Sequence, residues 1–321
     1  MSKVKATRSL VAPISVAASG SFVATVAPSA TQTIALLERA AVTLRDRCAD
    51  VHFGAPVAFI YNPLDYAWQA HRAYLRMAQP APRVLFVGMN PGPFGMAQTG
   101  VPFGEVAAVK DFLGIDERVA KITAPAQMHA KRPVLGFACQ RSEVSGARVW
   151  SWARERFGTR AKFFQYAFMW NWCPLAFMSN SGANLTPDKL PRGGRNAKMA
   201  RELCAACDEA LAAVITAMQP AHVVGFGAFA AKRAQLVIDA MRAAVEADVL
   251  KAQAKSKTKF ESNSKFNTKS NRASALASAT APARTALPNV LQVLHPSPAS
   301  PAANRGWAPQ IDRALAHVWS L

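Results

Sequence analysis

Four short apolar runs, each ending in turn residues and separated by helix-patterned chain, leave this sequence few folds to choose from. The runs are 83–88 (Arg-Val-Leu-Phe-Val-Gly), 162–170, 221–227 and 289–294. Runs of that length bounded by turn signals read as buried strands. The stretches 31–50, 65–78, 145–157, 196–218, 228–250 and 306–319 read as helices. In the first of these, Ile34, Leu36, Leu37, Ala40, Ala41 and Leu44 recur at helical spacing. Asp65 is placed to cap the second, and Pro220 to stop the fourth. Strands alternating with helices build a parallel sheet covered on both faces. In such sheets ligands lie beyond the carboxyl ends of the strands. Function is therefore expected in the residues directly after each strand.

Composition narrows the class. Of 321 residues 51% are apolar and seven are Trp, which excludes a fully disordered chain. Seventeen Gly without a period and five Cys exclude a collagen-like or disulfide-stapled protein. No apolar run approaches the ~18 residues of a membrane span; 223–231 is the best and contains two Gly. The net charge is +19 and unevenly placed. Residues 1–33 carry Lys3, Lys5 and Arg8 with no acid, and 251–285 carry six Lys, two Arg and one Glu. Such polar, like-charged tracts are usually solvated. We expect a disordered leader over 1–33, and a single domain over 34–321 interrupted by a basic disordered insertion at about 251–285. A signal peptide fits 1–33 less well, because Pro13 and Gly20 break its apolar region. The insertion reads either as a nonspecific grip on a nucleic-acid backbone or as a solubilising loop. The basic charge outside both tracts points to a polyanionic partner. An odd, irregular set of Cys suits free thiols in a reducing compartment. The expected location is the cytoplasm with the nucleoid, or the nucleus of a eukaryote. Cys204 and Cys207 share a helix face and read as buried small apolar residues.

Three loops carry candidate chemistry. The first, 88–104 (Gly-Met-Asn-Pro-Gly-Pro-Phe-Gly-Met-Ala-Gln-Thr-Gly-Val-Pro-Phe-Gly), has five Gly and three Pro. It lacks the Gly-Lys-Ser/Thr ending of a phosphate loop and the spacing of a dinucleotide fingerprint. Asn90 can hold a water by donating and accepting hydrogen bonds, but cannot take a proton as a carboxylate would. Phe103, between Pro102 and Gly104, offers a ring as the wall of a flat pocket. The second loop places Asn171 among aromatics in 169–175 (Met-Trp-Asn-Trp-Cys-Pro-Leu). Its carboxamide either pairs with the imide edge of a pyrimidine or satisfies turn groups. The polar stretch 179–195 offers Ser hydroxyls, Lys189, Arg192 and Arg195 to phosphates, or is an ordinary exposed loop. The third loop opens on His295-Pro-Ser-Pro298. An imidazole there can stabilise developing negative charge, and Asn304 and Arg305 before the last helix can bind phosphate.

Together these loops resemble the uracil-DNA glycosylase superfamily, more narrowly its single-strand-selective monofunctional family. The resemblance rests on 88–105, Asn171-Trp-Cys-Pro-Leu175, Asn184-Leu-Thr-Pro187, His295-Pro-Ser-Pro298 and Asn304-Arg-Gly-Trp307, and covers roughly 50–245 and 287–321. It implies an α/β/α three-layer sandwich around a four-stranded parallel sheet. It implies hydrolysis of the N-glycosidic bond of uracil in single- and double-stranded DNA, leaving an abasic site without strand cleavage. Oxidised pyrimidines such as 5-hydroxymethyluracil are implied as further substrates. Asn90 would position the water, His295 would stabilise the departing base, and Met89, Phe103 and Asn171 would form the base pocket. DNA contacts would come from Ser181, Asn184, Thr186, Lys189, Arg192 and Arg195, and from Ser297, Ala303, Asn304, Arg305 and Gly306. No metal, cofactor or membrane is implied, and the chain is expected to be a monomer. One departure stands out. Where the family carries Arg-Asn after the last Pro of the His motif, this chain has Ala299-Ser300, and Arg305 replaces a Lys. Two alternatives stay open: a protein that binds damaged or single-stranded DNA without cutting it, and a glycosylase for another lesion such as hypoxanthine.

Overall fold

The computed structural model describes residues 28–264 and 286–319. The main sheet is parallel throughout. Its strands are β2 (Val84–Gly88), β3 (Ala167–Asn171), β6 (His222–Phe226) and β7 (Asn289–Val293), in the order β3-β2-β6-β7. Every residue of β2 and β3 is buried, as a sheet sheathed by helices on both faces requires. Phe86 of β2 stacks on Phe226 of β6 at 5.2 Å and meets Trp152 of the Val144–Phe157 helix edge-on. At the sheet edge, Tyr74 closes the free backbone of β3. Its hydroxyl donates to the Met169 carbonyl (2.8 Å) and accepts from the Met169 N–H (3.1 Å). The result is the three-layer α/β/α sandwich expected.

A second, small sheet was not anticipated. It is antiparallel and joins β1 (Phe59–Tyr61), β4 (Ala176–Met178) and β5 (Asn184–Leu185). Other boundaries also moved. The run 162–170 is not one strand: Arg160–Tyr166 is helical, capped by Thr159, and only Ala167–Asn171 enters the sheet. Asp65 is not a cap. Asn62 is, accepting from the Leu64 N–H with Pro63 at the first helical position. A break after Tyr66 leaves Trp68–Leu75 as a separate helix.

The first helix begins at Ala30, capped by Ser29, so the expected leader overruns it by several residues. Residues 1–27 lie outside the described residues. The helix after β6 does not stop at 250 but runs from Gly227 to Ser264. The first part of the basic tract is therefore helical, and 265–285 lie outside the described residues. No helix among the described residues is long and apolar enough to cross a membrane.

Candidate active site

The loops following β2, β3 and β7 leave the same end of the sheet, and backbone hydrogen bonds lace the first two together. Trp172 and Cys173 donate from their N–H groups to the carbonyls of Gly88 and Met89, both at 2.9 Å. Met89, expected to line the pocket through its backbone, is thereby fixed to the loop after β3.

Gly88 and Asn171 stand opposite each other in the β2–β3 register. A Cβ on Gly88 would overlap the Asn171 Oδ1 and lie 2.7 Å from the Phe103 ring. The three residues therefore share one space. Asn171 is 5% exposed, and its Oδ1 is buried with no hydrogen-bond partner among the described residues. Its Nδ2 reaches only the Met96 thioether, at 3.1 Å, a weak acceptor. A buried acceptor without a donor costs about 1–3 kcal/mol, so this amide is poised for a partner the folded chain does not supply.

Phe103 is held in place at a conformational cost. Its φ is +54°, rare for a residue with a side chain. The turn around it is over-determined. The Thr99 hydroxyl donates to the Gly104 carbonyl (2.9 Å), and the Glu105 N–H donates to the Phe103 carbonyl (2.7 Å). The ring packs edge-on against Phe226 and lies 6.4 Å from the His295 imidazole. His71 supports the same loop, its Nδ1 lying 2.8 Å from the Gly100 carbonyl.

His295 accepts a hydrogen bond at Nδ1 from the Ser297 N–H (3.0 Å). That contact assigns the ring proton to Nε2. Burial lowers the imidazole pKa, so the ring is held neutral with an Nε2–H donor. Arg148 secures the turn that follows. It donates to the carbonyl of Pro296 (3.0 Å) and to the Asn304 Oδ1 (2.8 Å), while Asn304 Nδ2 donates to the Pro298 carbonyl (2.9 Å). The Trp307 Nε1–H ties the base of the loop to the Leu294 carbonyl (2.7 Å). Asn90 lies on the loop after β2, two residues past Gly88. Its Nδ2 donates to the carbonyls of Leu175 (3.3 Å) and Pro91 (3.4 Å), which leaves Oδ1 available to accept from a water.

The uracil DNA glycosylase superfamily matches residues 76–318. A rat single-strand-selective monofunctional uracil-DNA glycosylase is 40% identical over 265 residues, covering 82% of this chain and 77% of its own length. The mouse protein of that name is also 40% identical over the same shares, and the cattle protein 38% over 82% and 79%. This chain belongs to that glycosylase family. Asn171 and Phe103 meet over Gly88, the Phe103 ring lies 6.4 Å from the His295 imidazole, and Asn90 stands two residues past Gly88 on the same loop.

The residues expected to face DNA fall into two groups in this family member. Ser181, Asn184, Lys189, Arg192 and Arg195 are exposed and Thr186 half-buried. None of the three cations has an ion-pair partner among the described residues. Around the His loop, Arg305 is exposed and Ser297 half-buried. The others are engaged internally. Asn304 spends both ends of its amide on the turn, and the Gly306 N–H donates to the Ala303 carbonyl (3.3 Å). Ala303 departs from the expectation: it is 2% exposed and its N–H donates to the Ser300 hydroxyl, so it has no free donor for a phosphate.

Sequence reading passed over Arg148, Glu143 and a buried cluster behind Asn171. In that cluster Trp172 Nε1 donates to Asp208 Oδ1 (2.8 Å), Asp208 pairs with Arg233, and the Arg233 guanidinium lies 5.0 Å from the Trp172 ring centre. Of these residues only Trp172 stands in a motif, and each acts on a residue remote in sequence. Cys204 and Cys207 sit on the Asn196–Met218 helix, the second fully buried.

Proposed function

We infer that this protein hydrolyses the N-glycosidic bond of deoxyuridine in DNA during base-excision repair, leaving an abasic site without cutting the strand. The carrying observation is the buried, donorless Oδ1 of Asn171. Uracil supplies what it lacks: the N3–H donates to Oδ1, and O4 accepts from Nδ2. Cytosine offers the reverse pattern, an acceptor and a donor, and would leave both amide groups unpaired.

The base first leaves the helical stack, which costs a few kcal/mol and less in single strands. Phe103 then stacks on its face. As the bond breaks, positive charge grows on the sugar and negative charge on the uracil ring. The neutral His295 donates from Nε2 toward that anion, where a fixed donor in a dry site is worth most. Asn90 Oδ1 orients the water that attacks C1′. No Lys lies among these residues to form a covalent link, which favours one-step hydrolysis.

Two finer readings follow. A substituent at C5 leaves N3–H and O4 unchanged, so 5-hydroxymethyluracil presents the same edge and is proposed as a substrate. Ala299 is exposed and Ser300 caps the Pro301–Asn304 helix, so neither supplies a long side chain to fill the vacated stack. Single-stranded substrate is therefore expected to react faster than duplex. The test is single-turnover base release from uracil-containing single- and double-stranded oligonucleotides, with abasic sites revealed by alkali. Release abolished by Asn171→Ala is expected. Binding without release would favour a damaged-DNA-binding protein instead.

A further inference from the structure

Glu143 stands at the start of the Val144–Phe157 helix and takes no part in the chemistry above. Its carboxyl group fills the space left by two missing side chains. A Cβ on Gly92 would come within 2.5 Å of Oε1, and one on Gly95 would overlap Oε2. These glycines lie two and five residues after Asn90. The turn between them is closed by the N–H groups of Gly95 (3.4 Å) and Ala97 (3.2 Å), both donating to the Gly92 carbonyl. Glu143 thus props the segment that carries the water-positioning amide.

The carboxyl is poorly provided for as an anion. Oε2 is buried with no hydrogen-bond partner among the described residues, and the side chain makes no capping bond to its own helix. The group facing it from the next loop is another acid, Glu105, which caps the Val106–Ala108 turn by accepting from the Ala108 N–H (2.9 Å). Arg132 and Arg141 lie close by but stack on the Phe94 ring, at 5.2 and 4.1 Å, and neither pairs with Glu143 among the described residues. Arg148, further along the same helix, is committed to Pro296 and Asn304. Burial, with the Glu105 charge second, raises the Glu143 carboxyl pKa to about 7.

We propose that Glu143 is a positioning residue of the glycosylase site, a neutral carboxylic acid that shapes the Asn90–Gly95 turn. Its catalytic consequence rests on the glycosylase reading; its structural consequence does not. Because its folded-state pKa lies above the ordinary carboxyl value of 4.5, its support is whole below that pH and is lost as pH rises through about 7. Ionisation sets a charge against the Glu105 carboxylate in a buried space, and the turn shifts away from the geometry Asn90 needs. His295 titrates on the acid side of 6.5, so the two limbs are separable.

The experiment compares the full-length protein with Glu143→Gln and Glu143→Ala. Single-turnover uracil release from a single-stranded oligonucleotide and amide hydrogen exchange over 92–98 are both followed from pH 5.5 to 9. Wild type is expected to slow about tenfold across the upper half of that range while protection at 92–98 falls. Glu143→Gln keeps the acid-side rate and loses the alkaline decline. Glu143→Ala is slower at every pH at saturating enzyme, with the enzyme concentration giving half the maximal rate unchanged. The proposal is overturned by identical profiles in wild type and Glu143→Gln, or by an alanine variant with wild-type rate and protection. Should wild type release no base, the glycosylase reading fails. The exchange arm then decides alone: protection that does not change with pH in wild type sinks the role of Glu143.

Discussion

Gly88 and Asn171 are register partners at the ends of two neighbouring parallel strands, and no Cβ fits between them. Glycine at the strand end leaves the room that the Asn171 amide and the Phe103 ring occupy. Gly88→Ala is expected to lower single-turnover uracil release by about a hundredfold or more, with a stability loss of about 1–3 kcal/mol from overpacking. Denaturant unfolding run beside the kinetic assay separates the two effects. Wild-type turnover in this variant would place the base elsewhere.

Asn171→Ala separates recognition from folding. On the proposed pairing with N3–H and O4, removing the carboxamide is expected to lower kcat/KM for uracil by about 10³ or more. It also removes a buried acceptor that has no donor, which offsets part of the cavity left behind. The expected melting temperature is therefore close to wild type. A large drop would show that the amide serves the fold.

His295 carries an acid limb. Burial depresses its folded-state pKa below 6.5. Its contribution is present above 6.5 and is lost as pH falls through the folded value. Protonation at Nδ1 would set an N–H against the Ser297 N–H that now donates there. Base release is expected to fall on the acid side of 6.5, and His295→Leu to lose about 10²–10³ in rate at every pH. An acid limb that survives in His295→Leu would assign it to another group.

Arg148 steadies the His295 loop from outside it. It bridges Pro296 and Asn304 from the neighbouring helix. Arg148→Ala should reduce the single-turnover rate about tenfold while leaving equilibrium binding of uncleaved DNA nearly unchanged. Equal losses in binding and rate would make Arg148 a DNA contact instead.

Asp208 is 2% exposed and neutralises Arg233 while accepting from Trp172. Asp208→Ala strands both donors. A loss of about 3–5 kcal/mol in denaturant unfolding is expected. A loss under 1 kcal/mol would show that water or a shifted Arg233 replaces the carboxylate.

The strand ends were legible because each closes an apolar run with residues that suit a loop, as Gly88 and Asn171 do. Asn90 and His295 are marked by standing two residues past Gly88 and Val293, and Phe103, fifteen residues past Gly88, by its place between Pro102 and Gly104. The run 162–170 misled because short apolar stretches do not distinguish helix from strand, and Thr159 caps a helix there. The small sheet escaped because its strands are two or three residues long. Arg148 and Glu143 escaped for a different reason. Their partners are more than thirty residues away in sequence, and a lone charge near a helix start has no periodicity to betray it.

The helix that opens at Gly227 begins against His295, where a Cβ on the glycine would lie 3.2 Å from the imidazole side chain. It then continues to Ser264. At 1.5 Å per residue it carries the chain about 36 Å from that starting point by Lys251 and about 55 Å by its end. Salt screens charges over roughly 8–10 Å. Lys251, which opens the basic tract, is thus out of electrostatic range of His295 and cannot stand in for a long cation at Ala299-Ser300.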